Sequence, residues 1–236
     1  YYILPQKVQW CGLLVMSYIY YLAAGSKYIL FLLFSTIVTY VSGRLIGSQI
    51  GKNKRKAKKF LIAGLILNFG MQILLPLGIS FYTFQTSGYL LDIYWKRDHA
   101  EKNIFRYALF VSYFPQILQG PIGRHSRLAE QLYEGHSFDL QKICRGIQRI
   151  FGGFFKKMIL ADWAAVFVDA IFDNPDQYSG LAIFGVLFYT VQLYADFSGG
   201  MDVVIGIASM FGIELDENFK RPFFAVSVTD FWHRWH

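Results

Sequence analysis

Charged residues and cysteines are both scarce in this 236-residue sequence. Asp, Glu, Lys and Arg make up 17% of it, against roughly 25% in ordinary soluble domains. The two cysteines, Cys11 and Cys144, lie in unrelated contexts and exclude a disulfide framework or a zinc knuckle. No repeat of 20 to 50 residues recurs, which excludes a solenoid. Apolar residues are abundant: 54% of the residues are hydrophobic and 19% are aromatic. This composition indicates a membrane protein.

The positive charge is unevenly placed along the chain. Lys and Arg exceed Asp and Glu by seven, and the basic residues fall in short runs between apolar segments. Six of the eight residues at 52–59 are basic, which predicts a solvated cytoplasmic loop by the positive-inside rule. We therefore do not expect nucleic acid as a partner, although the pI is high.

The apolar segments are spaced as in a multi-pass membrane protein. Segments 11–24, 28–50, 60–75, 158–172 and 181–194 approach the roughly 20 residues that a crossing needs. Segment 104–118 is shorter and is broken by Pro115, which predicts a re-entrant helix. Apolar residues repeat at helical spacing over 140–154, with basic residues between them. They predict an amphipathic helix in the cytoplasmic interface, or alternatively a soluble helix that binds a partner.

Two further segments break the pattern of plain apolar spans. The helix predicted over 79–95 carries Ser80, Thr83, Gln85, Thr86, Ser87 and Asp92, which must face the bundle interior or a wet cavity because lipid cannot satisfy them. At Gly70 and Met71 two apolar stretches meet without a turn, which predicts a loop missing from the sequence. We interpret residues 1–236 as one membrane-embedded domain that is incomplete at both ends, and Met201 to Ile213 as a separate short helix entered through Gly199 and Gly200.

Five histidines could carry chemistry. His99, His125 and His136 lie in charged loops, where a solvated imidazole is expected. His233 and His236 lie next to tryptophans. They are three residues apart, and Asp230 lies three residues before His233. No further carboxylate or cysteine completes a four-ligand set, so we expect no metal. An imidazole in an apolar cavity is suited to general-base catalysis, and a hydrogen-bonded core histidine is the alternative.

Three ordered blocks resemble the membrane-bound O-acyltransferase family, in its bacterial branch of alginate and cell-wall polysaccharide O-acetylation. They are LPLGISFYTFQTSGYLLDIY at 75–94, FPQILQGPIGRHSRLAEQL at 114–132, and YADFSGGMDVVIGIASMFGIELDENFKRPFFAVSVTDFWHRWH at 194–236. An essential histidine closes the family motif Phe-Trp-x-Arg-Trp-His, and the resemblance therefore implies that His236 is catalytic. His233 occupies the variable position. A second family histidine would lie beyond His236.

The resemblance also implies a fold and a reaction. The expected fold is all-α, a polytopic bundle of tilted helices with re-entrant and interfacial segments, in the inner (plasma) membrane. The expected reaction moves an acyl group, most simply acetyl, from a cytoplasmic thioester, acetyl-coenzyme A or an acyl carrier protein, with no bound cofactor. The acceptor is a hydroxyl of an exported polysaccharide or a partner protein such as a secreted acyltransferase.

The implied substrate-binding residues are Asp196, Asn218, Arg221, Trp232 and Arg234. For Asp196 the alternative is a carboxylate that ties the turn at Ser198, Gly199 and Gly200. Two other functional classes stay open on the residues alone. The polar helix and the re-entrant segment also suit a transporter or flippase, and a non-catalytic scaffold for a secreted transferase is the third possibility.

Overall fold

The computed structural model describes residues 1–73, 79–116 and 120–235, which form helices joined by turns and irregular connections. Within these residues there is no strand, and an isolated antiparallel bridge joins Phe219 to Trp235. The prediction of an all-α fold is confirmed. The chain divides into two compact units, one of Tyr1–Leu118 with Ile122–Phe138 and one of Gln119–Pro121 with Asp139–His236. The grouping of the whole chain into one membrane domain stays a prediction.

The described residues of the first unit form α1 (Gln9–Ala24), α2 (Ser26–Gln49), α3 (Lys54–Ile73), α4 (Ile79–Tyr94), α5 (Ile104–Ser112) and α6 (His125–Tyr133). Within the described ranges, Ile29–Gln49 of α2 is the one stretch long and apolar enough to cross a membrane by length and composition. The predicted number of crossings therefore stays a prediction.

The basic run at 52–59 is mostly helical, so the prediction of a loop there was wrong. Helix α3 begins at Lys54, and the Asn53 side chain accepts a hydrogen bond from the Lys56 N–H at 3.0 Å. Lys and Arg are good helix formers, and Asn is a favoured N-cap, so the run needs no loop. Helix α3 also continues through Gly70 and Met71. The predicted missing loop at this point stays a prediction.

Thr86 and Ser87 of α4 lie inside the helix bundle, as the sequence predicted. Asn68 of α3 accepts a hydrogen bond from Ser35 of α2 at 2.8 Å, and donates to Thr86 at 2.9 Å and Ser87 at 3.2 Å. All four side chains are buried. The sequence predicted either the bundle interior or a wet cavity for these residues. For Thr86 and Ser87 the bundle interior is correct, because their hydroxyls take part in hydrogen bonds that join three helices.

Helix α5 is too short to cross a bilayer. Its nine residues extend about 14 Å at 1.5 Å per residue, roughly half of a hydrocarbon core. Residues Tyr107 to Ser112 are all buried, so α5 is a core helix of the first unit. A re-entrant path stays a prediction, and residues 117–119 lie outside the described part.

The prediction of solvated loop histidines holds for His99 and was wrong for His125. His125 is the first residue of α6 and is buried, with its Nδ1 2.8 Å from the Asp98 carboxylate. Its ring lies 4.7 Å from the ring of Tyr89 and 4.8 Å from that of Phe110. His136 is half-buried, and its Nε2 lies 2.8 Å from the Gln131 carbonyl oxygen. Sequence proximity to charges could not show the pairing of His125 with Asp98, which lies 27 residues away in the chain.

The second unit contains α7 (Leu140–Phe154), a π-helical segment (Phe155–Ala161), α8 (Asp162–Asp173), α9 (Pro175–Tyr178), α10 (Ala182–Met210) and α11 (Val228–Arg234). The helical path is continuous from Leu140 to Asp173. Helix α10 is also continuous over 29 residues, so the prediction of a break at Gly199 and Gly200 was wrong.

Glycines set the contact between α7 and α10. A Cβ on Gly146 would lie 2.7 Å from the Gly206 carbonyl oxygen, and one on Gly153 would lie 2.6 Å from that of Gly199. Gly146 and Gly153 are seven residues apart in α7, as Gly199 and Gly206 are in α10. The earlier glycine of α7 meets the later glycine of α10, as expected for antiparallel helices. The glycines therefore permit close backbone packing rather than a turn.

The predicted amphipathic helix over 140–154 is present as α7, but its apolar stripe faces outward. Leu140, Ile147, Phe151 and Phe154 are exposed, whereas Gly146 and Gly153 are buried. In a membrane protein an outward apolar stripe contacts lipid, and small residues make the helix contact. The location of α7 at the cytoplasmic interface stays a prediction.

Candidate active site

Three segments of the second unit meet in one aromatic cluster, which consists of Tyr194, Phe219, Phe223, Phe231 and Trp235. Tyr194 of α10 contacts Phe219 at 5.5 Å and Phe223 at 5.1 Å between ring centroids. Trp235 lies 5.2 Å from Phe219 edge to face and 5.4 Å from Phe231 in a stacked arrangement. Each such pair adds about 0.5–1.5 kcal/mol beyond area burial. The cluster fixes the end of α11 against α10.

The backbone next to position 236 is held as well. Phe219 and Trp235 form the isolated bridge, and the Lys220 N–H donates to the Arg234 carbonyl oxygen at 2.9 Å. His236 itself lies outside the described residues, so its catalytic role stays a prediction. Its neighbour Trp235 is ordered by rings and backbone together.

Helix α11 is capped at its start and locked by its own ion pair. The Ser227 hydroxyl accepts from the Asp230 N–H at 3.1 Å, as expected of an N-cap serine. The Asp230 carboxylate accepts from Arg234 Nε at 2.9 Å and from the Val226 N–H at 3.1 Å. These hydrogen bonds hold the pKa of Asp230 below its ordinary value. Arg234 therefore stabilises α11 in this structure.

The remaining predicted substrate-binding residues differ in their surroundings. Trp232 is 64% exposed, and His233 is exposed as well. Arg221 is exposed and adopts a left-handed backbone conformation with φ of 52° just before a short 3₁₀ turn. Asn218 is half-buried and donates from Nδ2 to the Met201 sulfur at 3.1 Å. Of these, Trp232 and Arg221 present open side chains.

Asp196 is ion-paired within the helical layer. Its carboxylate lies 2.7 Å from Lys157 Nζ, and the same ammonium lies 3.0 Å from Asp162. Residues 198–200 are helical, so the alternative of a carboxylate tying a turn there was wrong. Asp196 instead links α10 to the π-helical segment, a type of helix often found at functional sites.

A charged cluster that was not predicted from the sequence lies beside the glycine contact. Arg149 donates from Nε to Asp202 at 2.9 Å and from its two terminal nitrogens to Glu217 at 2.5 and 2.6 Å. Lys156 lies 2.5 Å from the second oxygen of Asp202. The hydrogen bonds with Glu217 raise the pKa of Arg149. The signal was available, since Arg149 and Lys156 repeat at the seven-residue spacing of Gly146 and Gly153.

Within the described residues, no group of three or more His, Cys, Asp or Glu side chains is arranged to hold a metal ion. Asp230, the carboxylate considered with His233, is bound by Arg234 instead. What the site does contain is an ordered aromatic cluster next to position 236 and a band of ion pairs between α10 and the helices before it.

Comparison with known proteins defines the class of proteins to which this chain belongs. The model of the membrane-bound O-acyltransferase family matches residues 99–236. A probable alginate O-acetylase from Pseudomonas aeruginosa is 35% identical over 266 residues, covering 100% of this chain and 51% of that protein. A peptidoglycan O-acetyltransferase from Helicobacter pylori is 36% identical over 193 residues, covering 70% of this chain and 37% of that protein.

A more distant relative is a teichoic acid D-alanyltransferase from Bacillus subtilis, 30% identical over 169 residues, covering 68% of this chain and 41% of that protein. The chain spans about half the length of the alginate O-acetylases that it matches. The chain belongs to the membrane-bound O-acyltransferase family. It is similar to the bacterial members of that family that are named for O-acetylation.

Proposed function

We propose that this chain is part of an O-acyltransferase that moves an acyl group, most simply acetyl, from a cytoplasmic thioester to a hydroxyl of an exported cell-envelope polysaccharide. The observation that carries the proposal is the ordered aromatic and backbone support immediately before His236, at the end of the motif shared with the family. A fixed peptide immediately before the histidine suits chemistry that depends on orientation.

In the proposed reaction the neutral imidazole of His236 is the general base. It takes the proton of the acceptor hydroxyl while the hydroxyl oxygen forms a bond to the thioester carbonyl carbon. The tetrahedral oxyanion then collapses and breaks the carbon–sulfur bond, and the leaving thiolate takes the proton from the imidazolium. The products are an ester and a free thiol, so atoms and charge balance. General-base catalysis of this kind typically contributes about 10²–10⁴-fold in rate.

The other predicted site residues take positional roles in this proposal. Trp232 and Arg221 are exposed and are available to contact substrate. Arg234 and Asp196 are engaged in ion pairs, and Asn218 contacts Met201, so these three hold the walls of the site. The donor, acetyl-coenzyme A or an acyl carrier protein, is anionic, and the basic residues of α3 would attract it electrostatically.

The names of the relatives support the proposed acceptor. Alginate, peptidoglycan and teichoic acid are all polymers outside the cytoplasmic membrane, and the named activities include transfer of acetyl and D-alanyl groups. The shared chemistry is an acyl group delivered to an exported polymer. The acceptor can also be a secreted transferase that completes the reaction.

The test replaces His236 by Gln in the full-length protein, in membranes supplied with radiolabelled acetyl-coenzyme A. We expect acetyl transfer to fall by about 10²-fold or more, while membrane insertion and thermal unfolding stay at the parent values. His233→Gln, three residues away and exposed, is the matched control and should retain parent activity.

Retention of the parent rate by a folded His236→Gln protein would refute the assignment. The same assay separates the other classes of function. Movement of substrate without label in a covalent product supports a transporter, and an intact complex with a dispensable His236 supports a scaffold.

A further inference from the structure

A small cleft in the first unit lies at the C-terminal end of α4. Its volume is about 230 Å³, below the roughly 300–1,000 Å³ of sites for drug-sized ligands. The side chains of its lining that matter here are Phe84, Gln85, Asp92, Trp95, Arg97 and Arg124. The cleft is therefore sized for a small polar group.

The cleft contains a buried carboxylate without a partner. Asp92 is 8% exposed, and its carboxylate makes no hydrogen bond or ion pair with any side chain or N–H in the described part of the chain. Gln85 is equally buried and uses its amide nitrogen to donate to the Phe110 carbonyl oxygen at 3.1 Å, which leaves its amide oxygen as a second acceptor. The Asp92 carboxylate lines the cleft and can accept hydrogen bonds from a ligand there. A ligand with a cationic hydrogen-bond donor suits this part of the cleft, because hydrogen bonds to charged groups are stronger than those between neutral groups.

The same cleft also presents two arginines. The chain turns after α4 through Lys96, whose φ is 59°, and the Arg97 N–H donates to the Asp92 carbonyl oxygen at 2.8 Å. The Arg97 guanidinium lies 4.9 Å from the ring centroid of Trp95. Arg124, the residue immediately before α6, also lines the cleft. Neither guanidinium pairs with a carboxylate of the described residues, and planar guanidinium groups favour bidentate contact with phosphate.

The surroundings of the cleft are apolar and open. Phe84 is 51% exposed, Trp95 53% and Ile122 49%. Tryptophan is enriched where a membrane protein meets the headgroup layer. A ligand with an ammonium, a phosphate and hydrocarbon chains would match the carboxylate, the arginines and these side chains in turn.

We propose that this cleft binds the headgroup of an aminophospholipid, with the ammonium on Asp92 and the phosphate on Arg97 and Arg124. A choline headgroup has no N–H to donate to Asp92. A glycerol headgroup has no cation, so it leaves the carboxylate unpaired. A serine headgroup carries its own carboxylate, which would lie near the Asp92 carboxylate and repel it. The cleft therefore selects phosphatidylethanolamine, and this selection does not depend on the acyl-transfer chemistry.

The test measures binding of short-chain phosphatidylethanolamine, phosphatidylcholine and phosphatidylglycerol to the delipidated full-length protein in detergent, by native mass spectrometry. We expect phosphatidylethanolamine to bind on the order of tenfold more tightly than the other two, as a charge-assisted hydrogen bond in a buried site would give. Asp92→Asn should remove that preference. Asp169→Asn, an exposed carboxylate of α8, is the matched control and should keep it.

A second variant keeps the test decisive if Asp92→Asn does not fold. Arg124→Gln changes an exposed side chain, and it should weaken all three phospholipids by a similar factor while preserving the preference for the amine. Equal binding of the three lipids by the parent protein, or an unchanged profile in Arg124→Gln, would overturn the proposal. If soluble glycerophosphoethanolamine competes as well as the lipid does, the lipid assignment is wrong and the ligand is a free phosphoethanolamine ester.

Discussion

Arg149 joins three parts of the second unit through one guanidinium. It contacts Asp202 of α10 and, with two parallel hydrogen bonds, Glu217 in the connection between α10 and α11. That connection also carries Phe219, which bridges to Trp235. A residue of α7 thereby orders the peptide segment that precedes the motif histidine.

Replacing Arg149 by Gln should destabilise the fold by about 1–2 kcal/mol. Three charge-assisted hydrogen bonds to two carboxylates are lost. Arg149 is 30% exposed and Asp202 keeps its contact with Lys156, so solvent moderates the cost. Thermal unfolding in detergent measures the change. Arg145→Gln, exposed on the same helix, should leave the midpoint within experimental error, and an equal loss in both variants would contradict a specific role for Arg149.

Asp98 and His125 form the second informative contact at this scale. Burial acts to raise the pKa of Asp98, but the hydrogen bond and charge of His125 and the N–H of His99 outweigh it, so the pKa lies below its ordinary value. A carboxylate with a lowered pKa stabilises the folded state above its unfolded pKa of about 3.9. That contribution is lost as the pH falls through the folded pKa.

Asp98→Asn should therefore lower the unfolding midpoint at pH 7, and the difference from the parent should shrink below about pH 4. The measurement is the midpoint of thermal unfolding between pH 3 and pH 7, followed by intrinsic fluorescence. Asp169→Asn controls for the simple loss of a carboxylate. A difference that stays constant or widens towards low pH would show that ionisation of Asp98 is not the cause.

At the scale of elements, the contact of α7 with α10 explains why a helix with two glycines at 199 and 200 stays continuous. Glycine weakens an isolated helix by about 1 kcal/mol relative to alanine. Here Gly199 and Gly206 face Gly153 and Gly146 so closely that a Cβ would overlap a carbonyl oxygen. Packing gained from close approach offsets the low helix propensity.

The neighbouring glycines of α7 give a matched pair of substitutions. Gly153→Ala should destabilise by about 1–3 kcal/mol, because its new methyl group would meet the backbone of α10. Gly152→Ala meets nothing within 4 Å and should be neutral or stabilising by up to about 1 kcal/mol. Chemical or thermal unfolding in detergent compares the two. Equal effects of both substitutions would show that the close contact is not important.

The elements also show where sequence patterns are ambiguous. The existence and type of α1, α2 and α4 followed from their apolar runs. The basic start of α3 and the continuity of α10 did not, because charge and glycine signal a loop only when no tertiary contact or cap opposes it. The amphipathic pattern of α7 shows that the helix has two faces and leaves open which face meets protein, and in the structure the apolar stripe is exposed.

At the scale of the whole molecule, the usual placement of polar and apolar residues is reversed in part. Large apolar side chains such as Ile66, Phe151 and Trp163 are mostly exposed, while Asn68 and Thr86 are buried and hydrogen-bonded. This arrangement suits a lipid bilayer, in which exposed apolar surface has no free-energy cost. Every buried polar group there must find a hydrogen-bond partner. Family membership and burial pattern thus agree on a membrane protein.

The sequence by itself determined the helical class, the membrane composition and the family, because these depend on composition, period and ordered motifs that are local in the chain. It also marked the motif residues Asp196, Asn218, Arg221, Trp232 and Arg234, although their roles stay proposals. Only the tertiary structure decided which side chains pair: Lys157 with Asp196, Arg149 with Glu217, and His125 with Asp98. The physical reason is that these partners lie 27 to 68 residues apart in the chain, and no periodicity specifies which charges meet when helices pack.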